Sequence, residues 1–258
     1  MVEKETDEKS YAVKTTVTSF RILEAVHELE KAGVSEISEA LGLSKSTVYK
    51  HLSTLESTGY VLKEDGSYKV SLGFLRFGEA ARMRKKIYQV AKDHMEELAS
   101  KTNEMSNLVV EEQGRGILLY RATSNKAVSL DTYVGKEVPL HSTGNGKAIL
   151  AHLPRQRVEE IIAEHGLPKA SENTITEPEA LFKELESIRE RGWAYDEGER
   201  IEGLRCVAVP IMTPEEVVLG AISVSGPASR IEGDRFREEL PDLLLRAKNV
   251  IEMDIAYK

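Results

Sequence analysis

Residues 34–53 read VSEISEALGLSKSTVYKHLS, two short helical stretches hinged on one glycine. After Ser35, the residues Ile37, Ala40 and Leu41 share a side, with Ala40 suited to a close approach of two helices. Gly42 breaks the run, and Leu43 is apolar enough to plug a small core. Ser44 can cap a further helix, in which Val48, Leu52 and Leu55 recur at i, i+4 and i+7. A step of about 100° per residue puts Ser46, Lys50, Ser53 and Thr54 opposite that stripe, with Thr47 and Tyr49 flanking them. The outer face is short, hydroxyl-rich and carries one cation, which suits donation to phosphates and base edges. With Ser44 and Lys45 at its start, this helix is a candidate for the major groove of double-stranded DNA.

The flanks complete a module. Upstream, Phe20, Leu23, Ala25, Val26 and Leu29 mark a first amphipathic helix ending near Gly33. Residues 1–10 show no such spacing and are expected to be a disordered tail. Downstream, Gly59 closes the third helix, and Asp65-Gly66 stands between two short β-prone runs, Tyr60–Lys63 and Tyr68–Leu72, as a hairpin turn. Three helices and a hairpin predict a winged helix-turn-helix over residues 11–73. Lys63 and Lys69 of the wing are candidate phosphate contacts. Residues 10–72 carry seven Lys/Arg against eight Asp/Glu. The acids concentrate on the first two helices (Glu24, Glu28, Glu30, Glu36, Glu39), which are free to face away from DNA.

From Phe74 to about Lys101 the pattern is helical, with no breaker after Gly78, and predicts a linker and dimerisation helix over 74–101. Phe74, Leu75, Phe77, Ala80, Ala81, Met83, Ile87 and Val90 give it more apolar surface than a lone linker tolerates in water, so a second copy is the expected cover. Arg76, Arg82, Arg84, Lys85, Lys86 and Lys92 make the same stretch basic. Residues 102–258 then alternate strands, at 106–112, 116–123, 127–133, 193–196, 205–212 and 217–225, with helices at 144–152, 155–164, 178–191 and 234–255. Together these predict an α+β chain with a helix-flanked sheet as its larger domain.

Bulk composition narrows the class. Of 258 residues, 41% are hydrophobic and 30% charged, so real cores can form. No apolar run is long enough to span a membrane, and the start lacks the apolar stretch of a signal peptide. A single cysteine, Cys206, excludes an intramolecular disulfide and fits a reducing compartment, so the cytoplasm is expected. A net charge of −8 argues against a surface that grips nucleic acid throughout. Gly146-Lys147 fails as a phosphate loop, because His141 stands where a glycine is required and Ala148 where Ser or Thr must follow. Six scattered histidines and one cysteine offer no metal-ligand spacing, and neither a metal nor a cofactor is expected. An enzyme using Cys206 with His141 or His152, and an architectural DNA binder that senses nothing, remain as alternatives to a ligand-responsive regulator.

Three stretches together resemble the IclR family of transcriptional regulators: VSEISEALGLSKSTVYKHLSTLESTGYV, VPLHSTGNGKAILAHLP, and RCVAVPIMTPEEVVLGAISVSGP followed by Arg230. The resemblance covers nearly the whole chain. It implies a GAF-like effector-binding domain, a small organic acid or related metabolite as effector, and dimers, often paired into dimers of dimers. It also implies an effector pocket at Thr143, Gly144, Asn145, Asp196, Cys206, Ser223 and Ser225. At Asn145 the sequence departs from the commoner small residue, which bears on pocket volume.

Geometry bears on the same residues. A hairpin turning at Pro214-Glu215 puts Cys206 opposite Ser223, or opposite Ser225 after a two-residue slip, and either register leaves all three on one face. The free N–H groups at the start of the helix after Ser142 favour an anion such as a carboxylate. Asp196 would repel a bare anion and is expected to meet a hydroxyl, an amine or a water.

Overall fold

The computed structural model describes residues 13–124 and 132–257, and the chain divides between Ala81 and Arg82 into two compact units. In the first, α1 (Lys14–Glu28), α2 (Val34–Leu41) and α3 (Lys45–Ser57) precede an antiparallel hairpin of β1 (Val61–Glu64) and β2 (Ser67–Val70). Asp65 (φ 52°) and Gly66 (φ +83°) both adopt left-handed backbone, the requirement of the tight turn that Asp-Gly announces. Gly42 ends α2 at φ +64° for the same steric reason. Ile22, Ala25 and Val26 of α1 meet Ile37, Val48, Leu52, Val61 and Tyr68 in one core. Three expected core positions are corrected. Phe20 and Leu29 are exposed, since Ile22 takes the inward position on α1, and Ala40 is exposed on α2 rather than seated between helices.

The stretch read as one helix from Phe74 to Lys101 is two: α4 (Leu75–Met83), entered by a 3-10 turn at Leu72–Phe74, and α5 (Lys86–Thr102). Lys85 is extended (φ −86°, ψ 105°), and the Gln89 side chain donates to the orphaned carbonyl of Met83 at 2.6 Å. The break has a physical cause. No residue of α4 is buried, whereas Ile87, Tyr88, Ala91, Met95, Leu98 and Ala99 of α5 pack into the core of the second unit.

That unit is a six-stranded antiparallel sheet in the order β5-β4-β3-β8-β7-β6. Its strands are β3 (Met105–Glu112), β4 (Arg115–Ala122), β5 (Glu137–Val138), β6 (Ala194–Glu197), β7 (Leu204–Met212) and β8 (Val218–Pro227). One face packs on α5 and on α9 (Leu240–Tyr257), through Leu108, Val207, Val209, Ile222 and Val224. The other packs on α6 (Gly144–Leu150), α7 (Arg155–His165) and α8 (Pro178–Arg191), through Val109, Ala208 and Ala221. The last helix begins with a π-helical turn, Arg235–Glu239, ahead of α9. Glu104, 1% exposed, is gripped by both donors of Arg230 at 2.9 and 2.6 Å. Most of the strand expected at 127–133, like the tail at 1–10, lies outside the described residues; β5 is an edge strand the pattern did not announce. Among the described residues no helix is long and apolar enough to cross a membrane.

The helix α6 sits unusually close to its neighbours. A Cβ on Gly144 would lie 3.0 Å from Cys206 Sγ, and one on Gly146 would collide with the backbone of Leu140. Gly146→Ala is therefore expected to lower stability by about 1–3 kcal/mol as an overpacked site, measured as a reduced urea midpoint for the second unit. An unchanged midpoint would mean that α6 is free to move away from Leu140.

Candidate functional site

On α3 the expected recognition surface is present as an exposed face. Lys45, Ser46, Tyr49, Lys50, Ser53 and Thr54 are exposed, Thr47 is half-buried, and Val48 and Leu52 point into the core. Ser44 accepts the Thr47 N–H at 3.1 Å and meets the Ser46 and Thr47 hydroxyls at 3.0 and 2.8 Å, so its first duty is the helix cap. Thr54 turns its hydroxyl back onto the Lys50 carbonyl at 3.0 Å. On the wing, Lys69 is paired with Glu64 at 2.6 Å, while Lys63 lies 5.5 Å from the Tyr68 ring centroid. A neighbouring carboxylate reduces what Lys69 offers a phosphate, a pairing between strand partners two apart that composition did not reveal.

The second unit holds a small cleft with about 60 Å³ of space open to water. The β7–β8 hairpin decides its floor. Cys206 faces Ser225 and Ala208 faces Ser223, the register two residues away from the tighter pairing, and the shift absorbs an irregularity between Ile211 and Met212. Cys206 and Ser225 thereby reach the cleft, joined by Thr143, Gly144, Asn145 and Asp196. Ser223 keeps the same face but not the cleft: it is fully buried, with its hydroxyl beside the Cys206 thiol. That expectation is corrected, because α6 covers the sheet above Ala208.

Each polar group in the cleft has a defined state. The Thr143 hydroxyl accepts the Gly146 N–H at 3.2 Å and donates to the Pro139 carbonyl at 3.0 Å. The seven-residue α6 thus offers an anion less than an open helix start would. Asn145 is a clamp, its amide nitrogen 3.0 Å from the Ala221 carbonyl and 3.5 Å from that of Asn107. Ser225 accepts from the Asn107 side chain at 3.0 Å, which leaves its own proton to donate. Asp196, 5% exposed, accepts the Glu199 N–H at 2.8 Å. Burial pushes its carboxyl above the ordinary range, against the pull of that N–H, of Lys147 and of Arg200. Burial, with Asp196 adding to it, pushes the Cys206 thiol to about 12.

Sequence reasoning missed Asn107, Lys136 and Arg200, which also line the cleft. It missed the ion pair between Lys147 and Glu199 as well. Asn107 had a signal, a polar residue alternating with Met105 and Val109 on an otherwise apolar strand. Lys136, Arg200 and Glu199 are brought in by loops, for which period carries no information. A thiol near 12 is a poor nucleophile at neutral pH, and neither His141 nor His152 is among the groups that shift it. Those rings instead bond the carbonyls of Pro168 and Ala148 at 3.1 and 3.0 Å.

Residues 18–65 match the IclR helix-turn-helix domain and residues 80–252 the domain described as bacterial transcriptional regulator IclR C-terminal. The chain is 31% identical over 252 residues to the HTH-type transcriptional regulator KdgR of Escherichia coli, covering 97% of this chain and 96% of that protein. It is 31% identical over 245 residues to the probable HTH-type transcriptional regulator ArcR of Halobacterium salinarum, covering 93% of each. Among solved structures, the IclR of Thermotoga maritima is similar with a TM-score of 0.77 at 31% identity, over 95% of this chain and 99% of that one. An IclR homolog of Microbacterium hydrocarbonoxydans, solved in complex with 4-hydroxybenzoate, is similar with a TM-score of 0.79 at 26% identity, over 93% and 98%.

Cys206, the single cysteine, makes its environment directly measurable. A thiol raised from 9 to about 12 holds roughly a thousandfold less thiolate at pH 8, and thiolate sets the rate of alkylation. Iodoacetamide at pH 8 is expected to leave the native protein unmodified while alkylating it readily in urea, as read by intact mass. Equal rates in the two states would place the thiol in water.

Proposed function

We propose how this chain, which belongs to the IclR family of transcriptional regulators, carries out that role: α3 reads DNA, and the cleft over Asp196, Cys206 and Ser225 takes a small organic acid. The setting is the cytoplasm, where the DNA and the metabolite are both found. The division of α3 into a buried stripe and a largely exposed polar face carries the DNA reading, since the exposed Lys45, Tyr49, Lys50 and Ser53 take no part in the core or the helix cap. Lys45, Ser46, Tyr49, Lys50 and Ser53 are its base and phosphate contacts, with Ser44, Thr47 and Thr54 shaping the helix beneath them. Lys63 adds a wing contact, and Lys69 contributes less because Glu64 already balances it.

For the effector, the cations Lys136 and Arg200 in the cleft wall favour a carboxylate, and Ser225 has a proton to donate. Asp196 takes a donor on the ligand. The ligand of the Microbacterium relative, which carries a carboxylate and a hydroxyl, has the polarity this cleft would accept. Ligand binding can act on DNA affinity only by favouring one arrangement of the protein over another, and couplings of about 1–3 kcal/mol are typical.

A second copy of the chain is the partner that the linker calls for. Leu72 is 78% exposed, Leu75 66%, Phe77 51% and Met83 45%, and water is a poor cover for that row. A two-fold dimer joined there would read a pseudo-palindromic operator, and pairing of dimers is the larger assembly the resemblance implies.

Operator titrations test the two sites together. Lys50→Ala is expected to weaken binding and to reduce the salt slope by about one, whereas Lys69→Ala changes the slope less. Ser225→Leu is expected to bind operator as wild type and lose the effector response. A Lys50→Ala protein that matched wild type at every salt concentration would refute the facing of α3. Sedimentation tests the assembly: the double variant Leu75→Glu, Phe77→Glu should be monomeric at micromolar concentration where wild type is a dimer or larger. A monomeric wild type would remove the dimer reading.

A further inference from the structure

Lys147 and Glu199 pair where water barely reaches, with side chains 2% and 10% exposed. A buried ammonium–carboxylate pair seldom adds net stability, because desolvation offsets its attraction. Its position suggests another consequence. Lys147 follows the cleft residues Thr143–Asn145 along α6, and Glu199 follows Asp196 on the turn that leaves β6. The pair therefore joins two walls of one cleft. From the far side, Ser171 donates to the Gly198 carbonyl at 2.7 Å, Thr174 to that of Glu199 at 2.5 Å and Asn173 to that of Glu197 at 2.9 Å. Arg200, in the cleft wall, is the next residue of the turn so held.

We propose that Lys147 and Glu199 are positioning residues of the effector cleft: the pair locks α6 to the Asp196–Arg200 turn, and Lys147 favours the anionic, acceptor form of Asp196. The cleft would then select acids that also carry a hydroxyl or ammonium donor. The inference rests on reading that cleft as the effector site. Among the described residues, Lys147 from α6, Glu184 from α8, Cys206 from β7 and Arg200 on the turn itself face the two carboxyls, and Arg191, Tyr195, Glu197, Arg205 and Arg237 line the outer side of the Lys147–Glu199 pair. Burial raises both carboxyls and brings Glu199 to about 7, with Asp196 and Glu184 adding to the rise and Lys147 opposing it. At Asp196 burial is opposed by the Glu199 N–H, Lys147 and Arg200. Without Lys147, both carboxyls would move toward their neutral forms. A neutral Asp196 can donate as well as accept, and the preference for a donor-bearing ligand would fade.

Carboxyl-carbon NMR titration of the full-length chain, with no ligand present and with the Asp196 signal assigned from Asp196→Asn, tests the pair directly. Lys147→Met should raise the Asp196 midpoint by about one pH unit or more, and Lys147→Arg should keep it near wild type. Glu199→Gln should lower it, since a like charge is removed and Lys147 is left to Asp196 alone. Opposite signs separate a charge effect from a loosened fold, which would hydrate Asp196 and lower its midpoint in both variants. A midpoint that is unmoved or lowered in Lys147→Met overturns the proposal; should that variant fail to fold, a midpoint unmoved or raised in Glu199→Gln does so. Calorimetry with 4-hydroxybenzoate and benzoate as probes reads selectivity. Wild type should prefer the hydroxylated acid and Lys147→Met should lose that preference, and an undiminished preference would refute the selectivity. If wild type bound neither acid, these probes would speak against the effector cleft, and the carboxyl titration would still decide the pair.

Discussion

The close seating of α6 against the sheet is the constraint on which the effector unit depends. Gly144 and Gly146 leave no side chain between the helix and its neighbours, so the Asn145 amide reaches the backbone carbonyls of Ala221 and Asn107. Buried carbonyl groups need a donor, and a side-chain clamp supplies one where the helix crosses the strands. Because α6 lies this low, it covers Ser223 and leaves Ser225 open. The same seating brings Lys147 under the Asp196 turn. One steric allowance in a short helix thus shapes both the volume and the charge of the cleft.

Charge is distributed in the two units by different rules. On the DNA-facing module it is nearly balanced, with Glu24 and Glu28 on α1, Glu36 and Glu39 on α2, and the polar face of α3 carrying Lys45 and Lys50. Affinity for a polyanion there depends on where each charge sits rather than on the sum. In the effector unit the important charges are few and buried. Asp196 and Glu199 sit in low dielectric, where the charge of Lys147 opposes the rise that burial gives both carboxyls.

The two halves of the expected linker also follow from burial. Ile87 and the residues after it find the sheet, and the chain stops being a free helix where that packing starts. Phe74 and Phe77 lean on the Tyr60 ring at 5.0 and 6.1 Å, but Leu72, Leu75 and Met83 stay exposed, which is why an oligomer is the natural reading for that half and not for the other.

Local features were legible in the sequence because their causes lie within a few residues. The stripe Val48–Leu52, the Ser44 cap, the left-handed Gly42 and the Asp65-Gly66 turn each depend on spacing or backbone sterics alone. The shared face of Cys206 and Ser225 was legible too, since strand parity survives a two-residue change of register. Which serine opens to the cleft was not, because that depends on how low α6 lies. Nor was the pairing of Lys147: its partner is 52 residues away, on a turn with no period to place it. Phe20, Leu29 and Ala40 fit an apolar stripe by sequence and stand in water in the fold. A stripe is wider than the surface available to cover it, and only the packed partners decide which edge is buried.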